Sequence, residues 1–205
     1  LLESLSLHPK VRKVDLFTRR IVDKRVSASY EKEIETVNEK GRIIRMTCGG
    51  NSYRSKESLW EHLDEFIDKT IRFIEKEDDF PDVVHGHYAD GNYLAGQISE
   101  VFGVPFIATG HSLGRNKKNI LLHEGRAEEK INEKFNIERR IAEEEYLLEN
   151  ADMIIVSTQH EIDTQYGLYN NNKHGRFEVI PPGVNTDLFY PFHRFDMPSF
   201  QMTIE

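Results

Sequence analysis

Histidine and hydroxyl side chains cluster in two short stretches of the sequence, and each stretch follows an apolar run. The first is HGHY at 85–88 and the second is GHSLG at 110–114. Imidazole rings exchange protons near neutral pH and bind metals, and hydroxyl groups bind sugars or act as nucleophiles. The chemistry to test is therefore nucleophilic attack, metal binding, or the binding and conversion of a polar ligand.

The second stretch fits the G-x-S-x-G motif of serine hydrolases, with Ser112 as the nucleophile. The acidic and histidine residues that such an enzyme needs lie downstream: Asp152, His160, Asp163 and His174. The residues at 115–118, which are RNKK, argue against this function. The helix after such a serine packs against the sheet, and burying charged groups there without partners is costly. A serine hydrolase is thus one alternative function.

His85 and His87 lie two residues apart on a predicted strand, so that both rings point to one face, as a metal pair requires. His111 and Asp90 are candidates for further ligands. Paired histidines are a weak signal, because a polar residue at a strand end more often makes a hydrogen bond. We therefore predict no metal and no other cofactor.

Positively charged residues near these stretches are better suited to binding an anion. Lys117 follows two glycines whose backbone N–H groups can approach a ligand. Arg139 and Arg140 lie in an acidic segment, where they either form salt bridges with glutamates one helical turn later or bind a phosphate group. Lys56 is another candidate cation. The residues alone predict a domain that binds a small, phosphorylated ligand.

Apolar segments typical of buried strands alternate with segments of helical periodicity. The predicted strands are 11–18, 42–47, 81–87, 104–109, 153–156 and 177–180. Predicted helices include 58–76 and 131–150, and the polar segment 21–40 is predicted to be a loop or hairpin. Six strands separated by helices predict an α/β fold with a doubly wound parallel sheet. Ligands bind beyond the carboxyl ends of the strands in such sheets, where both histidine-containing stretches lie.

The composition is that of one ordinary soluble domain. Among 205 residues, 35 acidic and 27 basic side chains give a net charge of −8, which argues against nucleic acid as a partner. The apolar runs are too short to span a bilayer, so no membrane partner is expected. The single cysteine, Cys48, excludes a disulfide framework and a cysteine-ligated metal site, and we expect a cytoplasmic protein.

Three motifs closely resemble the sucrose-phosphate synthases: HGHYADG at 85–91, TGHSLGRNK at 109–117 and VIPPGV at 179–184. Those enzymes are retaining glycosyltransferases of family 4, with two Rossmann-like domains that face each other across a cleft (the GT-B fold). The resemblance implies that residues 1–188 are the N-terminal acceptor-binding domain, without its first strand and glycine-rich loop. Residues 189–205 would be an irregular tail or linker toward an absent C-terminal donor domain. We expect a fragment of a longer parent, inactive alone.

The resemblance also implies a reaction, the transfer of glucose from UDP-glucose to fructose 6-phosphate, which gives sucrose 6-phosphate in sucrose biosynthesis. UDP-glucose is then a substrate rather than a cofactor. Sucrose synthase, which uses free fructose, is a weaker match, because it carries an alanine-leucine pair in place of Ser112-Leu113. The donor stays open, since the other half of the enzyme selects it. A non-catalytic module that senses a sugar phosphate is a further alternative.

Matching positions extend the resemblance to individual residues. His111 would lie beside the reacting sugar, where it orients the donor and helps to stabilise the charge that develops as the glucosyl–phosphate bond breaks. Ser112 and Tyr88 would contact the acceptor. The predicted ligands of the 6-phosphate, with only one arginine of the pair required, are Lys56, Lys117, Arg139 and Arg140.

Overall fold

The computed structural model describes residues 1–184, so the predicted tail at 189–205 lies outside the described residues. The strands are β1 (Val14–Arg19), β2 (Ile34–Thr36), β3 (Gly41–Met46), β4 (Val84–His87), β5 (Phe106–Thr109), β6 (Met153–Val156) and β7 (Phe177–Val179). The α-helices are α1 (Leu2–Ser6), α2 (Leu63–Glu77), α3 (Tyr88–Phe102), α4 (Gly114–His123), α5 (Glu128–Phe135), α6 (Ile137–Asn150) and α7 (Gln159–Thr164). Short 3₁₀ turns lie at Ala28–Glu31, Lys56–Ser58, Trp60–His62, Tyr166–Leu168 and Asn172–His174.

Strands β4, β5, β6 and β7 form a parallel sheet in that order. The register pairs Val84 with Phe106 at one end and His87 with Thr109 at the other. The carboxyl ends of β4 and β5 therefore meet, and the residues after them are neighbours. The predicted α/β fold with a parallel sheet is confirmed.

The other three strands form a separate sheet in the order β1-β3-β2. Strands β1 and β3 are parallel, whereas β2 pairs antiparallel with β3. The segment 21–40 thus contains the first strand of a hairpin, which was one of its two predicted forms. The described strands form two sheets rather than the single sheet we predicted. Strand β1 is at the edge of one sheet and β4 is at the edge of the other, and these two strands do not pair.

The predicted helix at 131–150 is interrupted. Asn136 adopts a left-handed conformation (φ 47°) that ends α5, and α6 begins at the next residue. Asparagine accepts this conformation more readily than most residues, because its short polar side chain can bond locally. The predicted single helix is therefore two helices, one ending at Phe135 and the next beginning at Ile137.

The core lies between the parallel sheet and its helices. Leu147 and Leu148 of α6 pack with Ile154 of β6, Phe106 of β5 and the fully buried ring of Tyr166. A second cluster joins Trp60 and Leu63, at the start of α2, to Ala89 of α3. This second cluster anchors the start of α2 to α3, so the turn at Lys56–Ser58, just before it, lies near the carboxyl end of β4.

Candidate functional site

A cavity of about 360 Å³ opens beyond the carboxyl ends of β4 and β5. Its walls come from the turn before α2, the starts of α3, α4 and α6, and the end of α5: Lys56, Glu57, Trp60, Tyr88, Ala89, Asp90, Ser112, Lys117, Phe135 and Arg140. Five of the seven predicted site residues are among them. The volume is in the range of pockets for small molecules, and the position is that expected for a ligand of a parallel sheet.

Three positively charged side chains line this cavity, and we call Lys56, Lys117 and Arg140 the cation cluster. The ammonium of Lys117 lies 3.6 Å from the centroid of the Phe135 ring. Burial lowers the pKa of Lys117, and the charges of Lys56 and Arg140 lower it further. The three cations therefore repel one another in the free protein, and an anion in the cavity relieves that repulsion.

Arg140 is the buried member of the cluster, with a side chain that is 10% exposed. Its Nε–H donates to Glu144 Oε1 at 2.9 Å, and its Nη2 donates to the Ser112 carbonyl and to Ser112 Oγ. Its Nη1 has no hydrogen-bond partner within residues 1–184. Salt bridge and phosphate binding were alternatives in the sequence, but the structure gives Arg140 the salt bridge and leaves one edge of its guanidinium for a ligand.

Arg139 has a different environment. Its guanidinium carbon lies 5.0 Å from the centroid of the Trp60 ring, and the residue is exposed. Arg139 is not among the residues that line the cavity. Of the two arginines that the sequence left undecided, Arg140 is the one placed at the cavity.

His85, His87 and His111 lie side by side at the ends of β4 and β5, and we call them the histidine stack. Ring centroids are 4.3 Å apart for His85 and His87, and 5.1 Å apart for His87 and His111. His87 Nδ1 lies 2.8 Å from His111 Nε2, and His85 Nε2 lies 2.8 Å from Thr109 Oγ1. His111 thus stands next to the cavity with one ring nitrogen already bonded.

Burial lowers the pKa of His85 to about 4, and the nearby charges of His87 and His111 add to the effect. Burial also lowers the pKa of His87, again helped by His111. These two rings are neutral at pH 7. Within the described residues no group of three His, Cys, Asp or Glu side chains is arranged to hold a metal ion. Instead, His87 Nδ1 and His111 Nε2 bond to each other, and His85 Nε2 bonds to the Thr109 hydroxyl.

Two residues of the site have strained backbones. Tyr88 (φ 62°) and His111 (φ 59°) are non-glycine residues at positive φ, directly after β4 and just beyond β5. Their rings lie 4.8 Å apart. Such conformations persist only where the surroundings enforce them, and they are concentrated at functional sites. Nothing in the residue types revealed this strain.

The hydrolase alternative does not match the geometry. In a nucleophile elbow the serine itself occupies the strained turn, whereas here the strained residue is His111. The partner of Ser112 Oγ among residues 1–184 is the Arg140 guanidinium, at 3.1 Å, and not a histidine. Arginine cannot act as a base at neutral pH, so Ser112 has no activating group here.

Sequence reasoning missed several residues of the site. Trp60 and Phe135 line the cavity, and Glu144 and Tyr169 lie behind it. Glu144 is one of the glutamates that the sequence predicts as a salt-bridge partner one helical turn later, with no role in the site. Tyr169 is 25 residues further along the chain, and no pattern in the sequence connects it to the site.

The parallel sheet, with a cation-lined cavity at its carboxyl edge, has the architecture expected for one Rossmann-like half of a GT-B glycosyltransferase. Residues 2–204 match the family described as the sucrose synthase first GT-B domain. The chain therefore belongs to that family. Within the described residues no helix is both long enough and apolar enough to cross a membrane.

Among known proteins, the chain is similar to sucrose-phosphate synthases. It is 38% identical over 188 residues to a probable sucrose-phosphate synthase of Thermosipho melanesiensis, covering 87% of this chain and 43% of that protein. It is 37% identical over 233 residues to probable sucrose-phosphate synthase 3 of Arabidopsis thaliana, covering 90% of this chain and 22% of that protein. The resemblance seen in the motifs is confirmed, and the chain spans less than half the length of these relatives.

A solved structure shares the fold. The sucrose-phosphate synthase of Thermosynechococcus elongatus superposes with a TM-score of 0.68 at 27% sequence identity. The match covers 87% of this chain and 40% of that one. The described domain thus corresponds to one part of a larger enzyme, the N-terminal GT-B domain.

Proposed function

We propose that this chain is the acceptor-binding domain of an enzyme that transfers glucose from UDP-glucose to fructose 6-phosphate. The products are sucrose 6-phosphate and UDP, and the α-configuration of the glucose is retained. The observation that carries the proposal is the cation cluster in a cavity beside the histidine stack. The names of the relatives supply the reaction, and the cluster supplies a place for a phosphorylated acceptor.

The cation cluster suits a phosphate monoester. Such a group carries a charge of about −1.5 to −2 at pH 7 and three acceptor oxygens. Arg140 offers its Nη1 edge, while Lys117 and Lys56 offer ammonium groups from two other walls of the cavity. Hydrogen bonds between charged groups are roughly twice as strong as neutral ones, so the phosphate anchors the sugar. Tyr88 and Ser112 then contact the sugar itself.

In this proposal His111 acts on the donor. The contact with His87 occupies its Nε2, which leaves Nδ1 for a hydroxyl group of the glucosyl residue. In this role His111 orients the donor and helps to stabilise the charge that develops as the glucosyl–phosphate bond breaks. UDP-glucose is held by the C-terminal donor domain of the parent, and the proposal invokes no metal or other cofactor. The fragment is inactive without that domain.

We place the enzyme in the cytoplasm, because the charged substrates and the single cysteine suit that compartment. No nucleic acid or membrane partner enters the proposal. The remaining partners are the sugar phosphate acceptor and the donor domain of the same parent chain.

The test is UDP release by the full-length parent, supplied with UDP-glucose and either fructose 6-phosphate or fructose. We expect turnover with the phosphorylated acceptor and much less with fructose. Turnover with fructose alone would remove the role of the cation cluster. Binding of fructose 6-phosphate without UDP release, under conditions in which the donor binds, would favour a module that only senses a sugar phosphate.

A further inference from the structure

A buried carboxylate lies directly behind the cation cluster. Glu144 is 3% exposed and one helical turn after Arg140 on α6. Its two oxygens accept hydrogen bonds from the Gly114 backbone N–H at 3.0 and 2.8 Å, from Arg140 Nε at 2.9 Å and from the Tyr169 hydroxyl. Each of these partners is a donor, and together they favour the ionised carboxylate against burial, which raises the pKa of Glu144. The function proposed above gives this group no role.

Glu144 and Ser112 together determine the orientation of the Arg140 guanidinium. Nε–H is bonded to Glu144 on one side, and Nη2 is bonded to the Ser112 carbonyl and hydroxyl oxygens on another. A planar group held at two of its three nitrogens cannot rotate. The third nitrogen, Nη1, is left without a partner among the described residues, and Arg140 lines the cavity.

Close packing reinforces this orientation. A Cβ atom on Gly114 would lie 2.9 Å from Glu144 Oε2 and 3.4 Å from Arg140 Cδ, so the start of α4 rests directly on the pair. On the far side, Tyr169 donates its hydroxyl proton to Glu144 and accepts the backbone N–H of Arg115 at 3.0 Å. The carboxylate therefore has a defined position of its own before it orients the arginine.

We propose that Glu144 is a positioning residue for the acceptor phosphate: it holds Arg140 so that the Nη1 edge of the guanidinium is presented to the cavity. Tyr169 supports it from behind. The inference rests on the proposed function, because it takes Arg140 to be a phosphate ligand. Its consequence is selectivity, since a pre-oriented guanidinium strengthens the binding of a phosphorylated sugar and does little for the free sugar.

The test compares Glu144→Gln with Glu143→Gln in the full-length parent. Glu143 is the neighbouring residue on α6, half-buried, and its carboxylate faces the charges of Arg139 and Asp64 instead. For Glu144→Gln we expect KM for fructose 6-phosphate to rise by about tenfold or more, the loss of one hydrogen bond to a charged group. KM for UDP-glucose and kcat stay within about threefold of wild type in the same measurement. Glu143→Gln leaves all three parameters near wild type.

Tyr169→Phe provides a second variant if Glu144→Gln fails to fold. It keeps the carboxylate and removes one of its donors, so KM for fructose 6-phosphate rises in the same direction by a smaller factor. An added Glu144→Gln change in an Arg140→Ala parent should have no further effect on that KM, because the group it positions is gone. Equal losses in kcat and in both KM values for the variants would show a merely structural role and overturn the proposal.

Binding of inorganic phosphate to the parent, measured without UDP-glucose, tests the positioning role of Glu144 separately from the proposed function. The measurement is the rise in unfolding temperature with phosphate concentration, which reports binding to the folded state. Phosphate that stabilises wild type but stabilises Glu144→Gln less supports the positioning role, whether or not UDP is released in the turnover assay. Equal stabilisation of the two proteins overturns the positioning role and leaves the proposed function intact. A wild type that neither binds phosphate nor releases UDP overturns both.

Discussion

The cation cluster and the histidine stack lie on the same edge of the sheet, but they treat charge in opposite ways. In the cluster, Lys117 lies against the Phe135 ring and Arg140 against the Glu144 carboxylate, and their charges remain next to an open cavity. In the stack, burial lowers the pKa values of His85 and His87, so that these rings are neutral at pH 7. The cation cluster thus presents positive charge to the cavity, whereas the histidine stack holds uncharged rings, those of His85 and His87, in fixed positions.

Under the proposed function, this difference separates two kinds of contribution to catalysis. Fixed charges in a cavity bind an anion in the ground state and in the transition state alike, and such uniform binding appears in KM. A ring held at a strained backbone position contributes through its geometry at the reacting centre, and that contribution appears in kcat. We therefore expect substitutions in the cluster to change the affinity for the acceptor, and substitutions in the stack to change the rate of transfer.

The largest effect is expected for the combined change Lys117→Ala and Arg140→Ala in the full-length parent. In the proposed site each residue supplies a charge-assisted contact of about 1.5–3 kcal/mol, so KM for fructose 6-phosphate should rise by about 10² to 10⁴-fold. Steady-state kinetics with both substrates varied provides the measurement. Arg139→Ala is the matched comparison, since its guanidinium lies over the Trp60 ring and Arg139 itself does not line the cavity, and we expect less than about a threefold change. An effect of Arg139→Ala as large as that of Arg140→Ala would reverse our assignment of the two arginines.

The next effect concerns the stack. His111→Ala should lower kcat by about 10²-fold, the usual loss when one electrostatic stabiliser is removed, with little change in KM for the acceptor. His87→Ala should lower kcat less, because it frees the His111 ring without removing it. The same kinetic assay measures both. If His111→Ala instead raised KM for the acceptor and left kcat unchanged, His111 would act as the cation cluster does. The contrast between the cluster and the histidine stack would then be wrong.

A smaller effect is expected from Gly110→Ala. Gly110 directly precedes His111, so this change tests how closely the backbone beside the histidine stack is packed. A Cβ atom at Gly110 would overlap the Tyr166 hydroxyl and come within 2.8 Å of Leu113 Cδ2. Overpacking of this kind costs about 1–3 kcal/mol in the free energy of unfolding. Gly91→Ala is the control, because no atom lies within 4 Å of its added Cβ and alanine favours the α3 helix. Calorimetric unfolding should show a lower transition temperature for the first variant and no decrease for the second.

The smallest effect is a shift in pH dependence. In the proposed site Lys117 binds phosphate in its charged form, and burial with the charges of Lys56 and Arg140 lowers its pKa. KM for fructose 6-phosphate should therefore rise on the alkaline side, at a lower pH than for an ordinary lysine. Lys56→Ala removes one of the charges that lower this pKa, so the rise should move to higher pH. Profiles of KM against pH for the two proteins measure the shift, and an unmoved profile would show that Lys56 and Lys117 do not share a site.

Much of the site could be predicted because the residues follow parallel strands. The ends of β4 and β5 were visible as apolar runs, and the residues after them, Tyr88, His111 and Ser112, had to meet at one edge. The prediction was less successful where packing decides orientation. The break at Asn136, for example, depends on a left-handed residue in a segment whose helical periodicity continues across it.

The sequence by itself determined the α/β fold, the edge of the sheet that binds ligand and the excess of cations beside the histidines, because these follow from chain order and side-chain chemistry. Only the tertiary structure decided between Arg139 and Arg140. Adjacent residues on a helix point about 100° apart, so the packing of α6 against α4 leaves Arg140 in the cavity wall, while Arg139 lies over the Trp60 ring and does not line the cavity. Glu144 lies one helical turn after Arg140, so the sequence could predict that pair, whereas only the tertiary structure brings Tyr169 to the Glu144 carboxylate.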